Sequence, residues 1–235
     1  GNHTAEITYS GDDKYNSASK TATISVGKDS TNLSAANVTA TYKVNKYLVI
    51  KLTDSHGNPL ANSTVTVDLN GAKNYTSDEK GQVKVKVSNK APKTYTAKIT
   101  FAGNNNYLGS EATAKVVVKK ATPKITAKAK TYKTTTKTKK YTITLKDNTG
   151  KAIKNAKVAL KVNGKTYKAT TNSKGKATFK ITKLTKKGTF KATVTYKGNK
   201  YFKKVTKKVN IKVKSVWKTV QKGSKKKAIV KKIQR

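Results

Sequence analysis

A strand, a tight glycine turn and a return strand occur three times in this chain, and this repeat constrains the fold more than any other feature. The turn glycines are Gly11, Gly103 and Gly198, spaced by 92 and 95 residues. Apolar and polar residues alternate in the flanking strands, and an aromatic residue follows each glycine within four positions. Self-similarity over such a length indicates an array of small domains. The predicted units are the last hairpin of a truncated repeat at 1–27, whole repeats at 28–119 and 120–214, and a basic tail at 215–235.

The two whole repeats share their turns as well as their hairpin. Asp54 and Gly57 belong to a predicted turn, and Asp147 and Gly150 belong to its counterpart 93 residues later. Strand residues alternate between apolar and polar, as in Val83–Val87, and no long stretch has helical periodicity. About seven short strands in roughly ninety residues predict an all-β fold in which each repeat is a two-sheet sandwich. A closed barrel is the alternative.

The two ends of the chain are expected to differ from the whole repeats. Residues 1–27 supply a single hairpin, which is marginally stable alone, so we expect it to dock on its neighbour or to fray. Methionine is absent, also at position 1, so we expect the chain to begin inside a longer protein or after processing. At 215–235 two apolar clusters lie among lysines, separated by Gly223 and Ser224. This pattern favours a flexible basic tail, and an amphipathic segment on an anionic surface is the alternative.

Charge is distributed unevenly along the chain, whose formal net charge is +43. Residues 1–119 contain 15 lysines and nine acids, whereas residues 120–235 contain 38 basic residues and one acid, Asp147. Lysine at outward strand positions protects sheet edges against aggregation. That role does not explain why acids are missing, since a surface of mixed charge is equally soluble. Charge of one sign over half a chain therefore predicts an anionic partner.

The residue types that catalysis and cofactor binding need are scarce. His3 and His56 are the two histidines, and neither is placed near a serine and a carboxylate. A single carboxylate in 120–235 excludes paired-carboxylate hydrolysis there, and the absence of cysteine excludes disulfides and thiolate metal sites. Asp12 and Asp13 could contribute oxygens to a calcium site, but adjacent acids in a turn are usually only solvated. We predict no enzymatic activity, metal site, cofactor or transmembrane segment.

Five asparagines lie in the sequence pattern of N-glycosylation, and all of them precede residue 120. The candidate glycosylation sites are Asn2, Asn32, Asn37, Asn62 and Asn74.

The hairpin motif Tyr/Phe-x-Gly-(Asn/Asp)-x-x-Tyr, as at Gly103 and Tyr107, and the turn Asp-x-x-Gly-x-Pro-Leu-x-Asn from Asp54 to Asn62 resemble a known family. The resemblance is to the bacterial Ig-like domain repeats of the adhesin-like surface proteins of bacteria and methanogenic archaea. It covers about residues 1–214, and the last repeat departs from it with Ala152 in place of the proline and a shorter hairpin turn. The resemblance implies tandem Ig-like sandwiches joined by short linkers. It also implies a monomeric rod at the cell surface or in the cell wall, with a stalk or adhesin role.

Three hypotheses concern the partner. In the first, an anionic cell-wall polymer holds the basic C-terminal repeat and tail while the other repeats project outward. In the second, the chain binds nucleic acid without sequence specificity, although one arginine and no known motif argue against this. In the third, it is an adhesin that binds a host glycan or protein through an exposed loop or an N-terminal part beyond this sequence. The candidate polyanion-binding lysines are Lys203, Lys204, Lys207, Lys208, Lys225, Lys226 and Lys227.

Overall fold

The computed structural model describes residues 1–220 and 229–232. By its contacts the chain divides into two compact units. The first comprises Gly1–Thr39, Lys46–Val87 and Thr94–Val117, and the second comprises Ala40–Asn45, Ser88–Lys93 and the described residues from Val118 onward. Throughout the described part of the chain, the regular structure consists of β-strands.

The chain begins with an antiparallel hairpin of β1 (Asn2–Tyr9) and β2 (Ala18–Ser25), which is paired along its whole length. Its apolar side chains are open to solvent: Ile7 is 65% exposed and Ile24 52%. Contrary to the expectation of docking, the apolar side chains of this hairpin stay exposed although its backbone pairing is complete, and the expectation that it frays stays a prediction.

Eight strands form the first sandwich. They are β3 (Thr31–Ala35), β4 (Val38–Thr41), β5 (Tyr47–Asp54), β6 (Thr64–Asp68), β7 (Ala72–Thr76), β8 (Gln82–Lys86), β9 (Thr94–Phe101) and β10 (Ser110–Lys119). One sheet has the order β3-β5-β8 and the other β4-β10-β9-β6-β7.

The second sandwich repeats this plan. Its strands are β11 (Lys124–Thr126), β12 (Lys130–Lys133), β13 (Lys139–Lys146), β14 (Lys157–Val162), β15 (Lys165–Thr170), β16 (Lys176–Ile181), β17 (Gly188–Tyr196) and β18 (Val205–Lys214). The smaller sheet has the order β11-β13-β16 and the larger β12-β18-β17-β14-β15. In the larger sheet, β12 pairs in parallel with β18 and the other pairs are antiparallel.

In each repeat two sheets pack face to face, and the chain passes from one sheet to the other between strands. This arrangement is an Ig-like sandwich. The predicted all-β class is confirmed, and the closed-barrel alternative is wrong because each repeat divides its strands between two separate sheets. The prediction of seven strands misses one strand in each repeat. β3 and its counterpart β11 offer a single well-buried apolar side chain each, Leu33 and Ile125, and are therefore too short for the alternation to be recognised.

Alternation along the strands builds the core of the second sandwich. Leu160, Phe179, Ile181 and Ile211 are fully buried, and the residues directly before and after each of them in its strand lie on the outer side. Burying such a side chain contributes about 1.5–3 kcal/mol before conformational entropy is subtracted. Lys139 is an exception among the lysines, since it is 1% exposed and its Nζ donates to the carbonyl oxygen of Thr136 at 2.7 Å.

The last described segment is also a hairpin, in which β19 (Trp217–Val220) pairs antiparallel with β20 (Ile229–Lys232). This differs from the flexible tail expected at 215–235. Threonine, valine and isoleucine at these positions have high strand propensity. The expectation of a flexible tail was based on the many lysines and did not take this propensity into account.

Replacing Gly198 by alanine is expected to destabilise the second sandwich. Gly198 has a φ of +82°, and an added Cβ would lie 2.5 Å from the carbonyl oxygen of Phe202. Gly164→Ala is the matched control, because its φ of +70° is also left-handed but its Cβ would meet no atom within 4 Å. Chemical denaturation should show a loss of about 1 kcal/mol for the control and of roughly 2–3 kcal/mol for Gly198→Ala. Equal losses would contradict the close approach of backbone at Gly198.

Candidate functional site

The carboxylate of Asp147, at the turn after β13, accepts four hydrogen bonds. One carboxylate oxygen of Asp147 accepts hydrogen bonds from the backbone N–H of Thr149 (2.9 Å) and Lys151 (3.0 Å) and from the Thr149 hydroxyl (2.8 Å). The other accepts a bond of 2.6 Å from the Nζ of Lys43, which belongs to the same compact unit. Burial by itself would raise the pKa of Asp147, but the hydrogen bonds from Lys43 and Thr149 outweigh burial and lower this pKa. This carboxylate holds a turn together and has no free oxygen for chemistry.

Asp54 occupies the equivalent turn of the first sandwich. Its carboxylate accepts the backbone N–H of His56 (2.9 Å) and Asn58 (2.8 Å) and the Asn58 side-chain amide (2.9 Å). The side-chain bond from Asn58 is the main cause that lowers the pKa of Asp54.

Sequence reasoning missed the contacts that surround Asp147. The ring of Tyr42 stacks on that of Tyr201 with centroids 4.9 Å apart and meets the edge of Phe202 at 5.8 Å. Lys43 Nζ lies 5.6 Å from the centroid of the Tyr42 ring. No periodic signal marks Tyr42 and Lys43, because their partners lie more than 100 residues away in sequence. Packing rather than ligand binding accounts for this aromatic group.

An aspartate or asparagine follows each repeated turn glycine and caps the turn. Asn104 Oδ1 accepts the backbone N–H of Asn106 and Tyr107, both at 2.9 Å. Asn199 does the same in the last copy. Asp12 accepts two such bonds and the Tyr9 hydroxyl at 2.6 Å, and this last bond is the main cause that lowers the pKa of Asp12. Asp12, one of the two acids considered for a calcium site, is thus engaged as a turn cap. Gly57, Gly103, Gly150 and Gly198 all have φ between +82° and +85°.

One group of side chains has a composition that could hold a cation. Asp29, Asp54 and His56 each offer one ligand atom, and these atoms lie within 4.8 Å of one another. The oxygens of Asp54 already accept turn hydrogen bonds, and one oxygen of Asp29 accepts the Ser55 hydroxyl at 2.9 Å. The group is a hydrogen-bonded cluster around a turn.

The predicted glycosylation sites all lie on the surface. Asn2, Asn32, Asn37, Asn62 and Asn74 are exposed. Two of them use their side-chain oxygen within the fold: Asn37 accepts the backbone N–H of Lys115 at 2.7 Å, and Asn74 accepts the Thr66 hydroxyl at 2.8 Å.

Four of the seven predicted polyanion-binding lysines lie in the described part of the chain. Lys203, Lys204, Lys207 and Lys208 are exposed. Lys207 falls in the alternate row of β18 that contains Val205 and Val209, whereas Lys208 falls in the row of Lys212 and Lys214 on the outer side of the sheet. The remaining three, Lys225, Lys226 and Lys227, lie outside the described residues.

A scan of protein-family models and a search of curated proteins found no match. Solved structures with a similar arrangement include invasin, a bacterial integrin-binding protein, at 16% identity and a TM-score of 0.49. This chain spans 39% of the invasin chain, and 79% of its own residues are covered. A 1.5-MDa bacterial ice-binding adhesin matches at 14% identity and a TM-score of 0.35, covering 90% of this chain and 74% of that one.

The titin domains Z1Z2 match at 11% identity and a TM-score of 0.42, covering 81% of this chain and all of that one. Identities and TM-scores this low leave the function to be argued from the residues of this chain. None of the described residues belongs to a helix long and apolar enough to cross a membrane.

Substitution of Asp147 by asparagine should lower the local free energy of unfolding of the second sandwich by about 2 kcal/mol, because a buried acceptor loses its charge and Lys43 loses its partner. The folded-state pKa lies below the ordinary value, so the carboxylate stabilises the fold fully above the unfolded-state pKa of about 3.9. Its contribution is lost as the pH falls through the folded-state pKa. Amide hydrogen exchange of β13 and β16 should therefore show the difference at neutral pH, and a smaller one toward about pH 3.

The matched control is Asp54→Asn, whose carboxylate accepts turn hydrogen bonds without a lysine ammonium. A loss at Asp54 as large as that at Asp147, or a loss at Asp147 that does not change with pH, would contradict the part assigned to Lys43.

Proposed function

We propose that this chain is a non-enzymatic, adhesin-like stalk or spacer of Ig-like repeats that works outside the cell. Its lysine-rich C-terminal repeat is held electrostatically by an anionic cell-wall polymer. The single observation that carries the proposal is the separation of charge, since 38 basic residues and one acid follow residue 119 while lysines and acids are mixed before it.

The one acid of this region is not available to balance the lysines at the surface. Asp147 is buried, with its side chain 1% exposed, and is neutralised by Lys43. The lysines from Lys120 to Lys214 are exposed, with the exception of Lys139. The surface of the second sandwich is therefore almost purely cationic. Repulsion among like charges opposes the compact state, and a polyanion relieves it.

The folding of the chain does not require this charge. The first sandwich has the same strand order with a mixed surface. The lysines of the second sandwich therefore serve a purpose besides solubility and edge protection, and we assign them to the binding of a polyanion.

The titratable groups of the described residues serve the fold. The acids whose pKa is shifted, Asp12, Asp54 and Asp147, all cap turns. His56 is exposed in one of these turns and accepts from or donates to the Ser55 hydroxyl at 3.0 Å. We therefore assign the chain a binding role. The exposed asparagine sequons at residues 2–74 fit a glycosylated part that projects from the wall.

Retention of the full chain on purified bacterial cell walls tests the proposal. We expect the chain to sediment with intact walls at low ionic strength and to be released by salt, because screening weakens contacts between exposed charges. Walls from which the anionic polymer has been chemically removed should retain little of the chain.

Equal retention on intact and stripped walls would overturn the proposal. Stronger binding to duplex DNA than to the wall polymer at physiological ionic strength would instead favour the nucleic-acid hypothesis.

A further inference from the structure

The larger sheet of the second sandwich has an outer face made of lysine and small uncharged residues. Its rows follow from the strand registers, in which each outward residue is opposite an outward residue of the next strand. The face contains eight exposed lysines: Lys133, Lys157, Lys161, Lys168, Lys191, Lys208, Lys212 and Lys214. We call this surface the lysine face. The positions between these lysines are occupied by threonine, asparagine and alanine, and the face contains neither an acid nor an aromatic residue.

The register spaces most of these charges. Lys161 lies opposite Thr193, and Thr193 lies opposite Lys208, so two lysines are separated by a threonine across three strands. Lys191 likewise lies opposite an uncharged residue, Asn210. Since neighbouring strands are about 4.8 Å apart, charges in such a row are roughly 10 Å apart, with a hydroxyl or amide between them. Open grooves run between Lys191, Lys208 and Asn210, and between Lys157, Lys168 and Thr170.

The corresponding face of the first sandwich has fewer lysines, among them Lys98 and Lys115, and it also carries acids. In its larger sheet, Asp68 occupies the position of Lys161, and the glycosylation candidate Asn74 occupies that of Lys168. Thr113 occupies the position of Lys208. Thr113 is opposite Lys98, the third outward residue of β9, and Lys208 is opposite Thr193, the third outward residue of β17. Glu111 adds a second acid to that face, where the second sandwich has Thr206. The same strand plan therefore folds with mixed charge, and the lysines are additional to what the fold needs.

We propose that the lysine face is the binding surface for a linear acidic polysaccharide that carries carboxylates. This rests on the proposed function and specifies its site and ligand class. Lysine ammonium groups meet the carboxylates as point charges, which suits a flexible polymer better than the fixed fork of arginine. The threonine hydroxyls and the Asn210 amide between them meet sugar hydroxyls.

Duplex DNA fits the face less well than such a polysaccharide. DNA carries one charge per about 1.7 Å of its axis, far denser than the spaced lysines. The lysine face also lacks the aromatic side chains on which bases of a single strand would stack.

The smaller sheet of the same sandwich is the natural comparison, since it also has exposed lysines, among them Lys140 and Lys180 opposite each other. The groove on that side is lined by Lys124 and Lys146 beside the turn that Asp147 caps. The smaller sheet has three strands against five. It offers a polymer fewer lysines and less length.

The test uses the full chain and polygalacturonate, a polymer with one carboxylate per sugar, immobilised for equilibrium binding. The face variant combines Lys161→Asp, Lys168→Asn and Lys208→Thr, which are the residues at the same positions of the first sandwich. The control combines Lys140→Glu and Lys180→Glu, which lowers the net charge by the same four units on the opposite sheet. Circular dichroism and thermal unfolding confirm that both variants fold.

We expect the face variant to bind polygalacturonate about tenfold more weakly than the wild type and the control to lose about twofold, because exposed ion pairs act locally and their effects fall off with distance. Equal losses in the two variants would overturn the inference while leaving the proposed function in place, since binding would then follow net charge alone. No binding of the wild type to polygalacturonate, together with retention on walls, would overturn the carboxylate assignment. Tighter binding of the wild type to duplex DNA than to polygalacturonate, lost in the face variant, would reassign the face to nucleic acid.

Discussion

Alternation of side chains along each strand is the constraint on which this structure depends. A strand directs successive residues to opposite sides, so one sequence row builds the core while the other builds the surface. In the second sandwich the inner row of β14 and β17 includes Val158, Leu160 and Val194, all nearly or fully buried. A shift of one residue would bury lysines and expose valines, and this cost fixes the register of the sheet. The core and the charged surface are therefore specified by the same periodicity.

Because the two rows are independent, the surface can change while the core stays the same. Both sandwiches bury apolar residues at equivalent positions and cap equivalent turns with Asp54 and Asp147. Their outer rows differ, as Asp68 and Lys161 illustrate. A repeat protein can in this way give one of its units a separate binding property without altering its fold. The function proposed for this chain depends on that separation.

The sequence predicts much of the fold because the strongest signals are local. Alternation locates the long strands, and the repeated glycines locate the hairpins. It does not reveal β3 and β11, which have too few apolar residues to show a period, or the parallel pairing of β12 with β18, which joins residues about 80 apart. Lys139 was also unpredictable, since a lysine between polar neighbours shows no sign of burial. The exposed apolar face of β1 and β2 follows from which strands are adjacent, and a local pattern does not contain this information.

The class of partner could be predicted from the sequence, but the surface that we propose to bind it could not. Charge composition predicts an anionic partner, and adjacent lysines such as Lys207 and Lys208 of β18 are its first candidates. Adjacent residues of a strand point to opposite sides, however, so a run divides its charge between two faces. Lysines that share a face lie on different strands, as Lys161 and Lys208 do, and only the register brings them together. Lys208 is both a lysine predicted from the sequence and a member of the lysine face.

Footprinting of lysine reactivity tests most directly that binding is confined to one face. The full chain would be acetylated with a water-soluble reagent in the presence and absence of polygalacturonate, and each lysine would be quantified by mass spectrometry. We expect protection of Lys161, Lys191, Lys208 and Lys212, with Lys140 and Lys180 unchanged. Protection spread evenly over both sheets, or confined to the smaller sheet, would show that the polymer does not bind at the lysine face.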